Sequence, residues 1–85
     1  DCHAGPRYAG SALHDVGTGK SSDRHPSYSV PSLLAGHRKA AWLHDARARS
    51  LPALLTGPHA VEKVSGGDPL TAAEVDDLVA FLRSL

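Results

Sequence analysis

The small apolar core that this sequence can build limits its fold more than any other property. The chain has 85 residues, and its only aromatic side chains are one Trp, two Tyr and one Phe. A domain of this length buries roughly 60–65% of the surface of its unfolded chain, and such domains commonly need a disulfide, a metal or an oligomer for stability. The single cysteine excludes an internal disulfide. A metal or a buried cofactor is therefore the favoured additional source of stability.

That cysteine is followed directly by a histidine, as Cys2-His3. This dipeptide is the end of the C-x-x-C-H haem-attachment signature, in which cysteine sulfurs form thioethers to the porphyrin and the histidine binds the iron. The dipeptide alone is too short to identify a haem site. The sequence contains no Met, so a haem held by this chain alone could not have His/Met ligation. Its sixth ligand would be one of the other five histidines, a tyrosine or a lysine, or the position would be open.

The formal net charge is zero, although the charges are unevenly distributed. Four basic residues lie in the middle of the chain: Arg38, Lys39, Arg47 and Arg49. The last third is rich in acidic residues: Glu62, Asp68, Glu74, Asp76 and Asp77. Overall neutrality argues against a general nucleic-acid-binding protein. The basic stretch is either a solvated face or a partner for carboxylates such as haem propionates. No segment is long and apolar enough to span a membrane.

The distribution of glycine, proline and apolar residues predicts an all-α domain. Residues 1–32 are rich in Gly and Pro and lack periodicity, which indicates a loop. Residues 38–48 contain good helix formers and no breaker, so we expect a short helix there. A second short helix is predicted at residues 51–55, with Pro52 in its first turn and Gly57-Pro58 after its end. Residues 65–69 are predicted to form a loop.

The C-terminal segment carries the clearest pattern. Thr71 and Glu74 fit a capping box, and Leu70 is placed to act as a hydrophobic staple. Five apolar residues then follow at helical spacing on one amphipathic face: Val75, Leu78, Val79, Leu82 and Leu85. If it were exposed, this face would be a larger apolar patch than a soluble monomer usually tolerates. We therefore expect upstream residues, another segment of the same protein or a second chain to cover it.

Two alternative sites are less well supported by the sequence. The segment Gly17-Thr18-Gly19-Lys20-Ser21 resembles part of a phosphate-binding loop, but the position five before Gly19 is His14 rather than glycine. Six histidines would also suit zinc, yet a structural zinc site usually has two close ligand pairs, and the only close pair here is Cys2-His3. A zinc-binding or metal-free interaction module remains as an alternative.

Several short motifs follow one another along the chain in a recognisable order. They are HDVGTG (14–19), PSLLAG (31–36), WLHDARA (42–48), SL (50–51) and LTAAEVDDLVAFL (70–82). Together with Cys2-His3, they resemble the C-terminal cytochrome c domain of bacterial di-haem cytochrome c peroxidases and MauG-like proteins. The resemblance covers essentially the whole chain. It implies a small class I cytochrome c-like domain, with short helices and long loops wrapped around a covalent haem.

The resemblance also implies roles for individual residues. It places haem c on Cys2 with His3 as the proximal ligand, and it suggests that the stretch after Ser50-Leu51 delivers the distal ligand. The family commonly has methionine there. In this chain His59 falls close to that place, and we rank it before His44 and His14 as the distal ligand. The segment containing His44 and Arg47 corresponds to the part of the family that packs near the haem edge and propionates.

Two departures from the family affect the expected function. The first attachment cysteine is missing from residues 1–85, and Ala46 replaces the glycine of the family's HDG motif. We expect one cytochrome c-like domain over residues 1–85, forming the C-terminal part of a longer protein. Because peroxidase chemistry in the family needs two haems, an electron-transfer cytochrome is the favoured function, and a haem domain of a peroxidase or MauG-like oxidoreductase is the alternative.

The resemblance further implies a cellular compartment and partners for the protein. Covalent haem attachment in bacteria occurs outside the inner membrane, so we expect a periplasmic or exported protein. Its partners would be a redox protein or further haem domains.

Overall fold

The computed structural model describes residues 2–85. Two strands, β1 (Gly10–His14) and β2 (Tyr28–Val30), form an antiparallel pair. A single 3₁₀ turn follows at Gly36–Arg38, and three helices complete the chain. These are α1 (Leu51–Thr56), α2 (Val61–Ser65) and α3 (Ala72–Arg83).

The prediction of an all-α, class I cytochrome c-like fold is wrong, because β1 and β2 make the domain a mixed α/β structure. Three pairs of residues align the two strands, and the register is irregular between Gly10 and Leu13. Most residues of β1 are exposed. A strand that is short, irregular and largely exposed does not need alternating apolar and polar residues, so its sequence lacks the signal by which strands are recognised.

The predicted helix at residues 38–48 is also absent. The 3₁₀ turn ends at Arg38, and Trp42 and Ala48 pair instead as an isolated antiparallel bridge. Within the intervening turn, the Asp45 carboxylate accepts a hydrogen bond from the backbone N–H of Arg47. Side-chain to backbone bonds of this kind compete with helix formation. The tertiary structure also favours the turn, because it buries Ala48, which is 2% exposed, in the core.

Ala46 occupies a left-handed conformation in this turn, with φ of 57°. This backbone geometry costs an L-residue roughly 1–2 kcal/mol, while glycine adopts it freely. We expect Ala46→Gly to stabilise the protein by about 0.5–1 kcal/mol, after allowing for the greater freedom of glycine in the unfolded chain. Thermal unfolding of the variant checks this. As a matched control, Ala53→Gly, in helix α1, should destabilise by about 1 kcal/mol; an equal loss in both variants would contradict the prediction.

The helix predicted at residues 51–55 is confirmed as α1. Ser50 is its N-cap, and the Ser50 hydroxyl accepts a hydrogen bond from the backbone N–H of Ala53. Pro52 lies in the first turn, and Gly57 follows the last helical residue. Helix α2 is an addition that the sequence pattern did not predict.

The C-terminal helix is confirmed as α3, and its capping box is present. The Thr71 hydroxyl accepts from the backbone N–H of Glu74, and the Glu74 carboxylate accepts from the backbone N–H of Thr71. These bonds hold the pKa of Glu74 below its usual value.

The apolar face of α3 is not left exposed. Val75 and Val79 are buried in the core, and Leu78 and Leu82 pack against it. Helix α1, a segment of the same chain, packs on this face. Contact of α3 with an upstream segment or another chain stays a prediction. None of the helices in the described residues has the length and apolar character to cross a bilayer.

The core lies between α1, α3 and the turn at residues 42–48. Its buried members are Ala48, Leu51, Leu54, Leu55, Val75 and Val79. The N-terminal third of the domain, which contains Cys2, His3 and the sheet, lies outside this small core. The candidate site lies in that outer part of the structure.

Candidate haem-attachment site

The structure brings His3 and His59 together, although 55 positions separate them in the sequence. The centres of their imidazole rings lie 6.4 Å apart, and the ring planes are inclined at 83°. Two histidine nitrogens on opposite sides of one metal ion, each about 2 Å from it, would lie about 4 Å apart, which would put the ring centres about 6 Å apart. The observed separation of the ring centres is close to this value.

The hydrogen bond made by His3 favours a metal-binding form of its ring. Its Nδ1 lies 3.1 Å from the carbonyl oxygen of Tyr8 and donates to it. In the neutral ring, this leaves Nε2 unprotonated with a lone pair. Histidine ligands of metals are commonly oriented in this way by a backbone carbonyl.

His59 is half-buried and uncharged near neutral pH. Burial, together with the nearby His3, lowers its pKa. Its Nδ1 is buried, and no other atom of the described residues forms a hydrogen bond with it. A buried ring nitrogen without a partner is costly unless it is satisfied by another group, and coordination of a metal would satisfy it. Both the charge state and the unpaired nitrogen therefore fit a ligand role.

A cavity of about 550 Å³ lies near the N-terminal end of the chain and is lined by the sequence neighbours of His3 and His59 but not by these two histidines. Its volume is in the range of cofactor and small-molecule sites. The lining residues are Cys2, His14, Asp15, Val16, Gly17, Arg47, Pro58, Lys63 and Val64. They come from four separate parts of the sequence, including Cys2, the HDVGTG motif and the residue that precedes His59. Cys2 is exposed and its thiol is free.

Arg47 lines the cavity while a network of polar contacts holds it in place. Its guanidinium forms an ion pair with Asp45 at 2.8 Å and donates to the carbonyl oxygen of Thr18. Lys20 pairs with the same carboxylate at 2.7 Å. Arg47 and then Lys20 hold the pKa of Asp45 far below its usual value. These contacts fix the HDVGTG segment against the turn at residues 42–48, so the two motifs form one wall of the cavity.

His44 is directed into a different cluster. Its Nε2 donates to the Asp23 carboxylate at 3.0 Å, and its ring stacks on Tyr28 with centres 4.2 Å apart. The Tyr28 hydroxyl donates to the same carboxylate at 2.9 Å. The backbone N–H of Lys20 and the Tyr28 hydroxyl lower the pKa of Asp23. Through its Nε2 and its ring face, His44 thus contacts Asp23 and Tyr28 and links β2 to its own turn.

The sequence-derived candidates therefore divide into two groups. Cys2 and Arg47 line the cavity, His3 and His59 lie against each other but do not line it, and His44 is engaged elsewhere. His14, the third-ranked ligand, lines the cavity from the end of β1. Lys63 was missed, because no motif surrounds it and only the packing of α2 brings it to the cavity. Within residues 2–85, no group of three or more His, Cys, Asp or Glu side chains is arranged to hold a metal ion.

No family model, curated protein or solved structure matches this chain. The resemblance to the cytochrome domains of di-haem peroxidases stays a prediction from its motifs. What the chain can bind must be argued from its own residues. These include one free thiol, two imidazoles whose ring centres lie 6.4 Å apart, and a cavity with two cationic side chains in its wall.

Proposed function

We propose that this chain is an electron-transfer c-type cytochrome domain. Cys2 would form a thioether to haem c, His3 would be the proximal ligand and His59 the distal ligand. The observation that carries the proposal is the separation of 6.4 Å between the rings of His3 and His59, next to Cys2. This separation suits two axial ligands of one iron.

The residues around the two histidines suit electron transfer. The bound haem supplies one-electron chemistry at its iron. Tyr8 holds His3 through its backbone carbonyl, and the burial of His59 keeps its imidazole neutral. Ligation of the iron by His3 and His59 would stabilise the ferric state more than a thioether ligand would, and would therefore lower the reduction potential relative to His/Met ligation. Two protein ligands would also leave no open position for peroxide.

The proposal also concerns the cellular compartment and the partners of the protein. Covalent attachment of haem requires a compartment outside the bacterial inner membrane, so the protein would be periplasmic or exported. Its partner would be a redox protein or a further haem domain.

Covalent haem attachment tests the proposed function. We expect the protein, produced with an export signal in a bacterium that matures c-type cytochromes, to keep its Soret absorbance after denaturation and acid–acetone extraction. The Cys2→Ser variant should lose this covalent absorbance if Cys2 carries the only thioether, because a hydroxyl does not replace the thiol. Extraction of all haem from the original protein, or a freely alkylatable Cys2 thiol, would refute the proposal. Zinc in place of haem would favour an interaction module.

A haem domain of a peroxidase-type oxidoreductase is the second candidate, because the motifs of the chain resemble the cytochrome domains of di-haem peroxidases. The spin state separates the two functions. A low-spin, six-coordinate ferric spectrum supports electron transfer, whereas a high-spin, five-coordinate spectrum in the unmodified protein would favour the enzyme.

A further inference from the structure

A short segment of the chain lies against the turn at residues 42–48. It follows strand β1 and comprises residues 15–23, which we call the strap. The Arg47 guanidinium of the turn donates a hydrogen bond to the carbonyl oxygen of Thr18 in the strap. Thr18 is buried, with 3% of its surface exposed. The middle of the strap is therefore covered by protein and hydrogen-bonded to the turn.

Asp45 is the centre of a charge network between the strap and the turn. Its carboxylate pairs with Lys20 of the strap at 2.7 Å and with Arg47 of the turn at 2.8 Å. Nε of Arg47 lies within hydrogen-bond distance of both carboxylate oxygens. A second contact joins the Asp23 carboxylate to Nε2 of His44 at 3.0 Å. Isolated surface ion pairs contribute little to stability, but a carboxylate that is shared by two cations with good geometry contributes more.

The turn depends on these contacts because its backbone is strained at two positions. Leu43 and Ala46 have φ angles of 73° and 57°, in the left-handed region that glycine adopts freely and other residues adopt at a cost. For a bulky residue such as Leu43, this conformation is uncommon. Strained residues persist only where the surrounding structure holds them. Loss of the strap contacts would therefore allow the turn to relax.

The strap and the turn together form one wall of the cavity. Residues 15–17 of the strap and Arg47 of the turn both line it. Because Arg47 is also the residue that binds Thr18, separation of the strap from the turn would divide this wall. Cys2 lines the same cavity. The separation would therefore also widen the access of solutes to the Cys2 side chain.

From these contacts we propose that the strap is a gate on the cavity that is held closed by charge. In the closed state, the Asp45 network holds the strap against the turn and keeps Leu43 and Ala46 in their strained conformations. In the open state, the network is broken, the turn has relaxed and the cavity wall is divided. The inference goes beyond the proposed function and needs no bound group.

Ionic strength is the condition that controls such a gate. Mobile ions screen charges that are exposed to solvent, and 54% of the Lys20 side chain is exposed. Acid is much less effective, because Arg47 and then Lys20 hold the pKa of Asp45 far below its usual value. The Asp45 carboxylate thus stays charged in mildly acidic solution, and salt rather than pH weakens its attraction to the two cations.

Hydrogen–deuterium exchange of the purified protein, read segment by segment in mass spectrometry, tests the gate. Asp45→Asn removes the charge but keeps a side chain of the same size. Asp76→Asn is the matched control, because Asp76 is exposed on α3 and its carboxylate makes no hydrogen bond or ion pair within residues 2–85. Exchange is compared in the strap, the turn and α3, with and without urea at concentrations too low to unfold the protein.

We expect the strap and the turn to exchange faster than α3, at rates that low urea does not change, because a local opening exposes little surface. In low salt, Asp45→Asn should raise these rates about fivefold, the scale of exposed ion pairs. A rise in salt from about 10 mM to about 1 M, which shortens the Debye length from about 30 to about 3 Å, should raise them similarly in the original protein and less in Asp45→Asn.

Two further comparisons connect the gate to its charge network and to the strained turn. Asp76→Asn should exchange like the original protein at both salt concentrations. Ala46→Gly removes strain from the closed state, so it should slow the exchange of the strap and the turn, also when it is combined with Asp45→Asn. Equal rates in Asp45→Asn and Asp76→Asn would overturn the proposal. So would a strap, a turn and an α3 that exchange together with one dependence on urea, because that behaviour indicates global unfolding.

Failure of this inference can be distinguished from failure of the proposed function, because the two are measured separately. Covalent Soret absorbance reports attached haem, and amide exchange reports the strap. A protein without covalent haem whose strap opens in salt would refute the function and support the gate. A protein with covalent haem whose strap and turn exchange only together with α3 would overturn the gate and leave the function supported.

Discussion

Replacing His59 by alanine is expected to convert the ferric protein from a low-spin, six-coordinate form to a form with an open axial position. His59 faces His3 at 6.4 Å, and the methyl group of alanine can neither span this distance nor bind a metal. Added cyanide or imidazole should then bind at least about a hundredfold more tightly than to the original protein, because it no longer competes with an internal ligand held at high effective concentration. Optical titration of the ferric protein measures this.

Two further histidine variants separate ligation from general structural effects. His25 is exposed, and its ring bonds only to the backbone carbonyl of Ser27 at 2.7 Å, so His25→Ala should keep the original spectrum. His44→Ala should also remain low-spin, although it loses the contact with Asp23 and the stacking on Tyr28. If His59→Ala kept the low-spin spectrum, the distal position would be assigned to His44. A high-spin spectrum of His44→Ala would support that assignment.

The elements that sequence reasoning predicted correctly are those whose signals are local. In α3, the capping box needs only Thr71 and Glu74, and the apolar spacing marks the face that packs on α1. In α1, Ser50 and Gly57 mark the two ends. These signals act within a few residues, so they are the same in an isolated peptide and in the folded domain.

The errors fall where distant contacts decide the structure. Residues 38–48 have helical propensity, but burial of Ala48 and the pairing of Arg47 with Thr18 favour a turn. The left-handed conformation of Ala46 falls at the position where the resembling family has glycine. The motif comparison thus indicated this turn more reliably than helix propensity did.

For the candidate site, sequence reasoning singled out His3 by its adjacency to Cys2 and His59 by its place after Ser50-Leu51. Their roles as iron ligands stay predictions. The contact between the Lys63 ammonium group and the Gly57 carbonyl oxygen has no sequence signature. The engagement of His44 with Asp23 joins residues 21 positions apart, and only the folded chain reveals it.

Gly57 provides the second large expected effect, because a side chain at this position would collide with the preceding helix. A Cβ atom on Gly57 would lie 2.7 Å from the carbonyl oxygen of Ala53, a separation at which the backbone must shift. We expect Gly57→Ala to cost about 2 kcal/mol of folding free energy. For a domain of this size, that corresponds to a melting temperature lower by roughly 8–16 °C. Thermal unfolding of the haem-loaded protein measures the loss.

The same substitution should disturb ligation, since the carbonyl oxygen of Gly57 anchors the loop that carries His59. A displaced His59 would compete less well for the iron of the proposed haem, so Gly57→Ala should bind cyanide more tightly than the original protein. Gly36→Ala is the matched control, because a Cβ atom there would meet no atom within 4 Å. If Gly57→Ala and Gly36→Ala had equal melting temperatures and equal cyanide affinities, the loop would not be the element that sets the position of His59. If stability fell without a change in cyanide affinity, His59 would be held in place by its own burial rather than by the turn at Gly57.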